Sequence, residues 1–172
     1  DSSAISLANS NLVGLSDDAG TNGYGYYLSW GNMYIDSKNV SSNSEVSNYS
    51  RDLDLNTAIA GVNYDKGSTH YSRENFTSYP DNVIVTHITA DGSEKISLDV
   101  SVEPDNTSGG AANSIGENGY KRTWDTTVSG GRISVKGQLT DNQMKFSSQT
   151  QVITDNGGTV TDGDGKVSVS GA

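Results

Sequence analysis

The sequence predicts an all-β protein, an antiparallel β-sandwich preceded by a short N-terminal helix. Apolar residues fall in short runs that alternate with polar ones, the two-residue period of a strand with one buried face. Turn-forming clusters punctuate these runs at hairpin spacing: Asp65-Lys66-Gly67, Tyr79-Pro80-Asp81-Asn82, Asp91-Gly92-Ser93 and Asn156-Gly157-Gly158. No convincing helical pattern follows residue 15. The hydrophobic fraction of 32% fits this class, because a sheet that lines one inner face per strand needs few apolar side chains.

In residues 4–15, Ile5, Leu7, Leu12 and Leu15 are spaced so that a short helix could bury them on one face, with Gly14 near its stop. An Asp/Gly loop follows, then the aromatic cluster Tyr24, Tyr26, Tyr27 and Trp30. Residues 32–36 predict the first strand, with Met33 and Ile35 on one side and Tyr34 on the other. Tyr49–Ala90 reads as three successive strands with a polar turn between each pair. In its lead-in, Leu53 and Leu55 act as core positions alternating with solvated Asp52 and Asp54. Ala58, Ala60, Val62 and Tyr64 alternate next, and His70–Thr77 returns. Val83–Ile88 is apolar on both faces and so predicts a central strand covered on both sides. Ile96, Leu98, Val100 and Val102 point inward, and residues 104–119 form an exposed, mobile loop. Arg132–Leu139, Met144–Thr154 and Lys166–Ser170 complete the strands. The chain stops on a strand, which predicts that this strand's partner lies beyond Ala172.

The 172 residues carry a net charge of −10. Such a surface repels phosphate backbones and anionic lipid, which argues against nucleic acid or membrane surfaces as partners. There is no long apolar run to span a bilayer and no signal-like start, and DSSAISLANSNL reads as the middle of a longer protein. With no cysteine, disulfides, thiol catalysis and cysteine-ligated zinc are excluded. An acidic, cysteine-free chain rich in Ser, Asn, Gly and Thr suggests an exported bacterial protein. Asn39, Asn48, Asn75 and Asn106 head glycosylation-type triplets, which chance supplies in so Asn- and Ser-rich a chain.

An ordered series runs Tyr49-x-Arg51-x-Leu53-Asp54-Leu55-x-Thr57-Ala58, Val62-x-Tyr64, Tyr71-x-Arg73-x-x-Phe76, then Pro80-Asp81-x-Val83-Ile84-Val85. It resembles the N-terminal domain of glycoside hydrolase family 95, the α-L-fucosidases, most of them bacterial. The run Tyr26–Asp36 and the later Gly157–Val160 and Lys166–Ala172 fit the same pattern. A departure is Gly31-Asn32-Met33, where Gly-Asp-Leu is usual. The resemblance implies a β-sandwich placed before a helical (α/α)6 barrel that supplies the catalytic carboxylates and assisting asparagines. The family's glycine-rich opening and its Asn-Glu motif are absent from these residues, so no catalytic residue carries over.

Glycoside cleavage needs two carboxylates flanking the bond. Asp52/Asp54 and Asp162/Asp164 are the pairs available, and both read better as a solvated strand face and a hairpin turn. Two exposed acids lack the desolvation that raises a proton donor's pKa. Asp162-Gly163-Asp164-Gly165 with Asp155 lacks the glutamate of a calcium loop. His70 and His87 have no companion at metal spacing, and His87 in its apolar strand reads as a core residue. The aromatic cluster Tyr24, Tyr26, Tyr27 and Trp30, with Asn22 and Asn32, has the chemistry to stack on a sugar ring and bond its hydroxyls. The competing reading is that these rings fill the sandwich edge or the seam to the barrel, since aromatics carry large buried area, and it is the stronger one. The same holds for Trp124 beside Arg122 and Asp125.

These features describe one β-sandwich domain over residues 1–172, part of a larger glycoside hydrolase, with 1–23 a lead-in and 24–172 the sandwich. The expected role is a non-catalytic N-terminal portion of a secreted or cell-surface fucosidase-like enzyme, inactive alone, with no metal and no cofactor. Its expected partners are the catalytic barrel of the same polypeptide and fucosylated glycans. The alternative is a free-standing carbohydrate-binding or adhesive module.

Overall fold

The computed structural model describes residues 3, 30–104, 122–139, 143–155 and 157–172. The fold is all-β and antiparallel, of the sandwich class predicted. Among the described residues the strands are β1 (Gly31–Ser37), β2 (Ser47–Asp54), β3 (Ile59–Lys66), β4 (Thr69–Ser78), β5 (Val83–Asp91), β6 (Leu98–Pro104), β7 (Arg122–Ser129), β8 (Arg132–Leu139), β9 (Lys145–Gln151), β10 (Thr159–Gly163) and β11 (Lys166–Ser170), with a 3-10 turn at Asn43–Glu45. They form sheets ordered β1-β6-β11-β10, β2-β3-β4-β5 and β7-β8-β9. The predicted helix at 4–15 and the loop after Pro104 lie outside the described residues.

The chain divides into two compact units. In the first, comprising residues 1–34, 101–152 and 162–167, the β7-β8-β9 sheet supplies the core. Ile133, Val135 and Leu139 alternate along β8 and are buried with Val102 and Val167. On that inner face one cross-strand row runs Trp124, Gly137, Phe146. A Cβ on Gly137 would overlap the Thr123 carbonyl oxygen and lie 2.5 Å from Phe146 Cζ and 2.8 Å from Trp124 Cβ. The glycine is what lets two aromatic side chains flank one position. Two-residue turns with both φ positive close the hairpins, Gly130-Gly131 (62°, 70°) between β7 and β8, and Asp164-Gly165 (43°, 73°) between β10 and β11. These are the values a type I′ turn requires, and they match the right-handed twist of the strands.

In the second unit, residues 35–100, 153–161 and 168–172, the β2–β5 sheet is a meander of four strands, one more than the three read from sequence. The extra strand is β2, which pairs with β3 from Ser47↔Asp65 to Asp54↔Ile59. Tyr71, Leu98, Val100 and Val169 are its buried hydrophobic residues.

Three expectations are corrected here. Leu53 and Leu55 are not core residues but 60% and 85% exposed, because β2 is an edge strand open along its whole length and Leu55 lies in the turn that follows it. Val83–Ile88 is not central: β5 is the opposite edge, and Ile84 is 78% exposed. Its β-branched side chains pack well on a pleated, half-covered surface, so a run of them marks a strand without requiring that both faces be covered. The last strand does not wait for a partner, since β11 sits between β6 and β10. Ile96 and Ala172 exchange both backbone hydrogen bonds (2.8 and 3.0 Å), the mark of an antiparallel pair.

Gly137→Ala is expected to destabilise the protein by about 1–3 kcal/mol through overpacking against backbone. Gly163→Ala, where no atom lies within 4 Å of the added Cβ, should stay within about 0.5 kcal/mol of the parent. Urea midpoints of the two variants check this.

Candidate functional site

Of the aromatic residues singled out as sugar contacts, Tyr24, Tyr26 and Tyr27 lie outside the described residues, as does Asn22. Trp30 immediately precedes β1 and is half-buried, its ring meeting Phe146 edge to face, with centroids 6.1 Å apart at 87°. That is the favoured geometry for an aromatic pair. Trp124 is half-buried on the same inner face as Phe146, across Gly137. Trp30 is therefore engaged in packing while keeping part of its surface open, and Asn32 beside it is exposed.

The acidic candidates serve the backbone and the surface. Asp54 accepts the Asn56 N–H at 2.8 Å, and this bond, with help from Thr57, lowers its pKa. A carboxyl stabilised as the anion makes a poor proton donor. Asp162 Oδ1 accepts the Gly131 N–H at 2.9 Å, which ties the β7–β8 turn to β10, and Asp164 is a turn residue with φ of 43°. Among the described residues no three histidine or acidic side chains are placed to hold a metal. His87 is exposed rather than in the core, with its Nδ1 3.6 Å from Glu74. His70 Nδ1 lies 2.6 Å from Asp65 Oδ1. The Asp65 carboxyl is lowered by the Asn48 amide first and by His70 second.

The densest polar cluster among the described residues is one that the sequence did not announce. Tyr64 and Tyr71, paired across β3 and β4, stack with centroids 5.1 Å apart. Tyr71 is buried and donates its hydroxyl to Glu94 Oε2 at 3.0 Å. Lys66 Nζ reaches the same oxygen at 3.2 Å and the Asn39 carbonyl at 2.5 Å. The Glu94 N–H donates to buried Thr69 at 3.0 Å. Asn39 completes the cluster by acting as a short strand: its amide donates to the Lys95 carbonyl and its oxygen accepts the Ser97 N–H, both at 2.7 Å. Lys66, then Tyr71, lowers the Glu94 pKa, while burial, then Glu94, pushes Tyr71 up to about 12. Every strong donor here is already satisfied, so the cluster clamps the 92–97 segment onto the sheet and leaves no group free for acid–base work. The only sequence hint was a lone charged pair, Glu94-Lys95, between a turn and an apolar run. The glycosylation-type Asn39, Asn48 and Asn75 use their amides within the fold, toward Lys95, Asp65 and Ala60.

A family model described as "Glycosyl hydrolase family 65, N-terminal domain" matches residues 3–172. The chain belongs to this family. Partial matches extend to "Probable alpha-fucosidase A" of Aspergillus niger, 37% identical over 70 residues, and "Alpha-L-fucosidase 2" of Arabidopsis thaliana, 46% identical over 55 residues. These cover 41% and 32% of this chain but 8% and 6% of the two relatives, so the chain spans less than a tenth of either. The resemblance to the family 95 N-terminal domain agrees with both findings.

Tyr71→Phe is expected to cost about 1–2 kcal/mol at neutral pH through the lost hydrogen bond. The raised Tyr71 pKa contributes stability that is complete below pH 10 and lost as pH rises to about 12. The parent should therefore weaken more steeply than Tyr71→Phe over pH 10–12. On the acid side the lowered Glu94 pKa contributes stability above about pH 4.5 that is lost as pH falls. Urea midpoints across both ranges test these slopes.

Proposed function

We propose that this chain is the non-catalytic N-terminal β-sandwich portion of a secreted, fucosidase-like glycoside hydrolase. Its role is to buttress a helical-barrel catalytic domain of the same polypeptide and shape the rim of the sugar site. The supporting observation is membership of a hydrolase N-terminal domain family over residues 3–172, joined to partial identity with two fucosidases many times longer. The acids described above point the same way: those on β2 are exposed, and Asp54 and Asp162 are committed to backbone amides. The acidic, cysteine-free composition suits an exported protein. Of the four aromatic residues singled out as sugar contacts, Trp30 is the one among the described residues, half-buried beside Phe146, and through it the domain itself would touch a glycan.

On this reading the 172-residue chain releases no fucose from a 2′-fucosylated glycan, whereas the longer polypeptide that carries it does. Turnover by the chain alone sinks the proposal. Calorimetry with the same glycan should give little or no heat. Binding at micromolar to millimolar concentration that Trp30→Ala removes would instead identify a free-standing carbohydrate-binding module.

A further inference from the structure

Strand alternation sorts the charges of the β2–β5 meander completely. By register, one face carries Arg51 and Leu53 from β2, Ala60, Val62, Tyr64 and Lys66 from β3, alternate residues from Thr69 to Thr77 on β4, and Ile84 to Ala90 on β5. No acid lies on it. The acids of these strands from Asp52 onward, namely Asp52, Asp54, Asp65, Glu74 and Asp91, all fall on the opposite face with both histidines. In a chain of net charge −10, an acid-free face with two arginines is a local inversion of sign.

The turn end of the acid-free face is covered. There Tyr64, Tyr71 and Lys66 lie beneath the Glu94–Asn39 clamp. One row further on, Arg51, Val62, Arg73 and Ile88 lie side by side across the four strands, Arg51 exposed and the other three half-buried. The two arginines sit on strands separated by one other, about 10 Å apart at sheet spacing. Among the described residues neither guanidinium has an ion-pair or hydrogen-bond partner, although Lys38 and Lys66 both find carboxylates. Beyond them come exposed Leu53 and Ile84. The hairpin loops at this end add Leu55 and Tyr79, the latter 95% exposed. Arginine with tyrosine and aliphatic side chains in an open patch is the composition of a protein interface rather than of a solvated surface.

We propose that the face bearing Arg51, Leu53, Val62, Arg73 and Ile84 is the docking surface for a neighbouring domain of the same polypeptide, one that presents carboxylates beside apolar side chains. The inference rests on the reading above that the chain is one domain of a longer enzyme, and it adds which face does the docking. The occupant follows from two facts. The fucosidase relatives hold more than nine-tenths of their length outside the matched region, and the two arginines meet no carboxylate from the described strands on this side, so a partner bearing carboxylates complements them.

The test is thiol labelling of the longer polypeptide, using the absence of cysteine from this chain. Ile84→Cys marks the arginine face and Thr89→Cys, exposed on the same strand, marks the acidic one. Maleimide labelling of each is read by mass spectrometry of the peptide concerned, in the native protein relative to the same protein unfolded in urea. Docking predicts at least tenfold protection at residue 84 and less than threefold at residue 89. It also predicts that combining Arg51→Glu with Arg73→Glu removes most of the protection at 84. Open labelling at 84, equal protection at both positions, or protection that survives the double reversal overturns the proposal. So does protection that scales with protein concentration in sedimentation, which would make the occupant a second copy. Absence of fucosidase activity in the longer polypeptide counts against the parent reading alone and leaves the labelling result to stand by itself.

Discussion

Register in the β2–β5 meander is the constraint on which the rest of the second unit depends. A strand's side chains alternate between faces, so a slip of one residue in any strand would carry its acids onto the face that now holds apolar and basic residues. The stack of Tyr64 on Tyr71 marks that register at one row, and the Asn75–Thr86 hydrogen bond of 2.9 Å marks it between β4 and β5. Glu94 then locks it from above, because it can accept from Tyr71 and Lys66 together only when those two residues share a face.

Much of this was legible in the sequence. Strict alternation located Leu98, Val100 and Val102, and gave the bounds of β8 and β11 with Ile133, Val135, Val167 and Val169 inside. In these runs polar and apolar residues differ sharply, and burial leaves a periodic trace. β7 and β10 were missed because threonine and single charges interrupt their pattern in Arg122–Ser129 and Thr159–Gly163. The opposite error affected Leu53, Leu55 and Val83–Ile88: apolar residues were equated with the interior. The period of a strand tells which residues share a face but not whether that face is covered.

The candidate site was less legible for a related reason. Catalytic or clamping arrangements depend on which distant residues meet, and nothing in the spacing of Asn39, Lys66, Tyr71 and Glu94 reveals that they converge. The sequence correctly set Asp162-Gly163-Asp164-Gly165 aside as a turn, since Asp-Gly dipeptides carry their conformation locally. It placed His87 in the core because it could not know that β5 is an edge strand. The densest chemistry among the described residues joins segment to sheet: Glu94 accepts from Tyr71 and Lys66, while Asp54 and Asp162 accept backbone amides.

The exposed course of β2 has a consequence for solubility. An open edge offers unpaired backbone groups to any other extended chain, a hazard that natural sheets blunt with bulges and charges. β2 has both. The pairing shifts between Ser47 and Ser50, where Asn48 takes a φ of 52° and its amide is held by Asp65 at 2.6 Å. Arg51, Asp52 and Asp54 then follow along the edge. An edge that leaves Leu53 open is thereby kept from recruiting strands indiscriminately: its side chains stay exposed while its backbone resists aggregation.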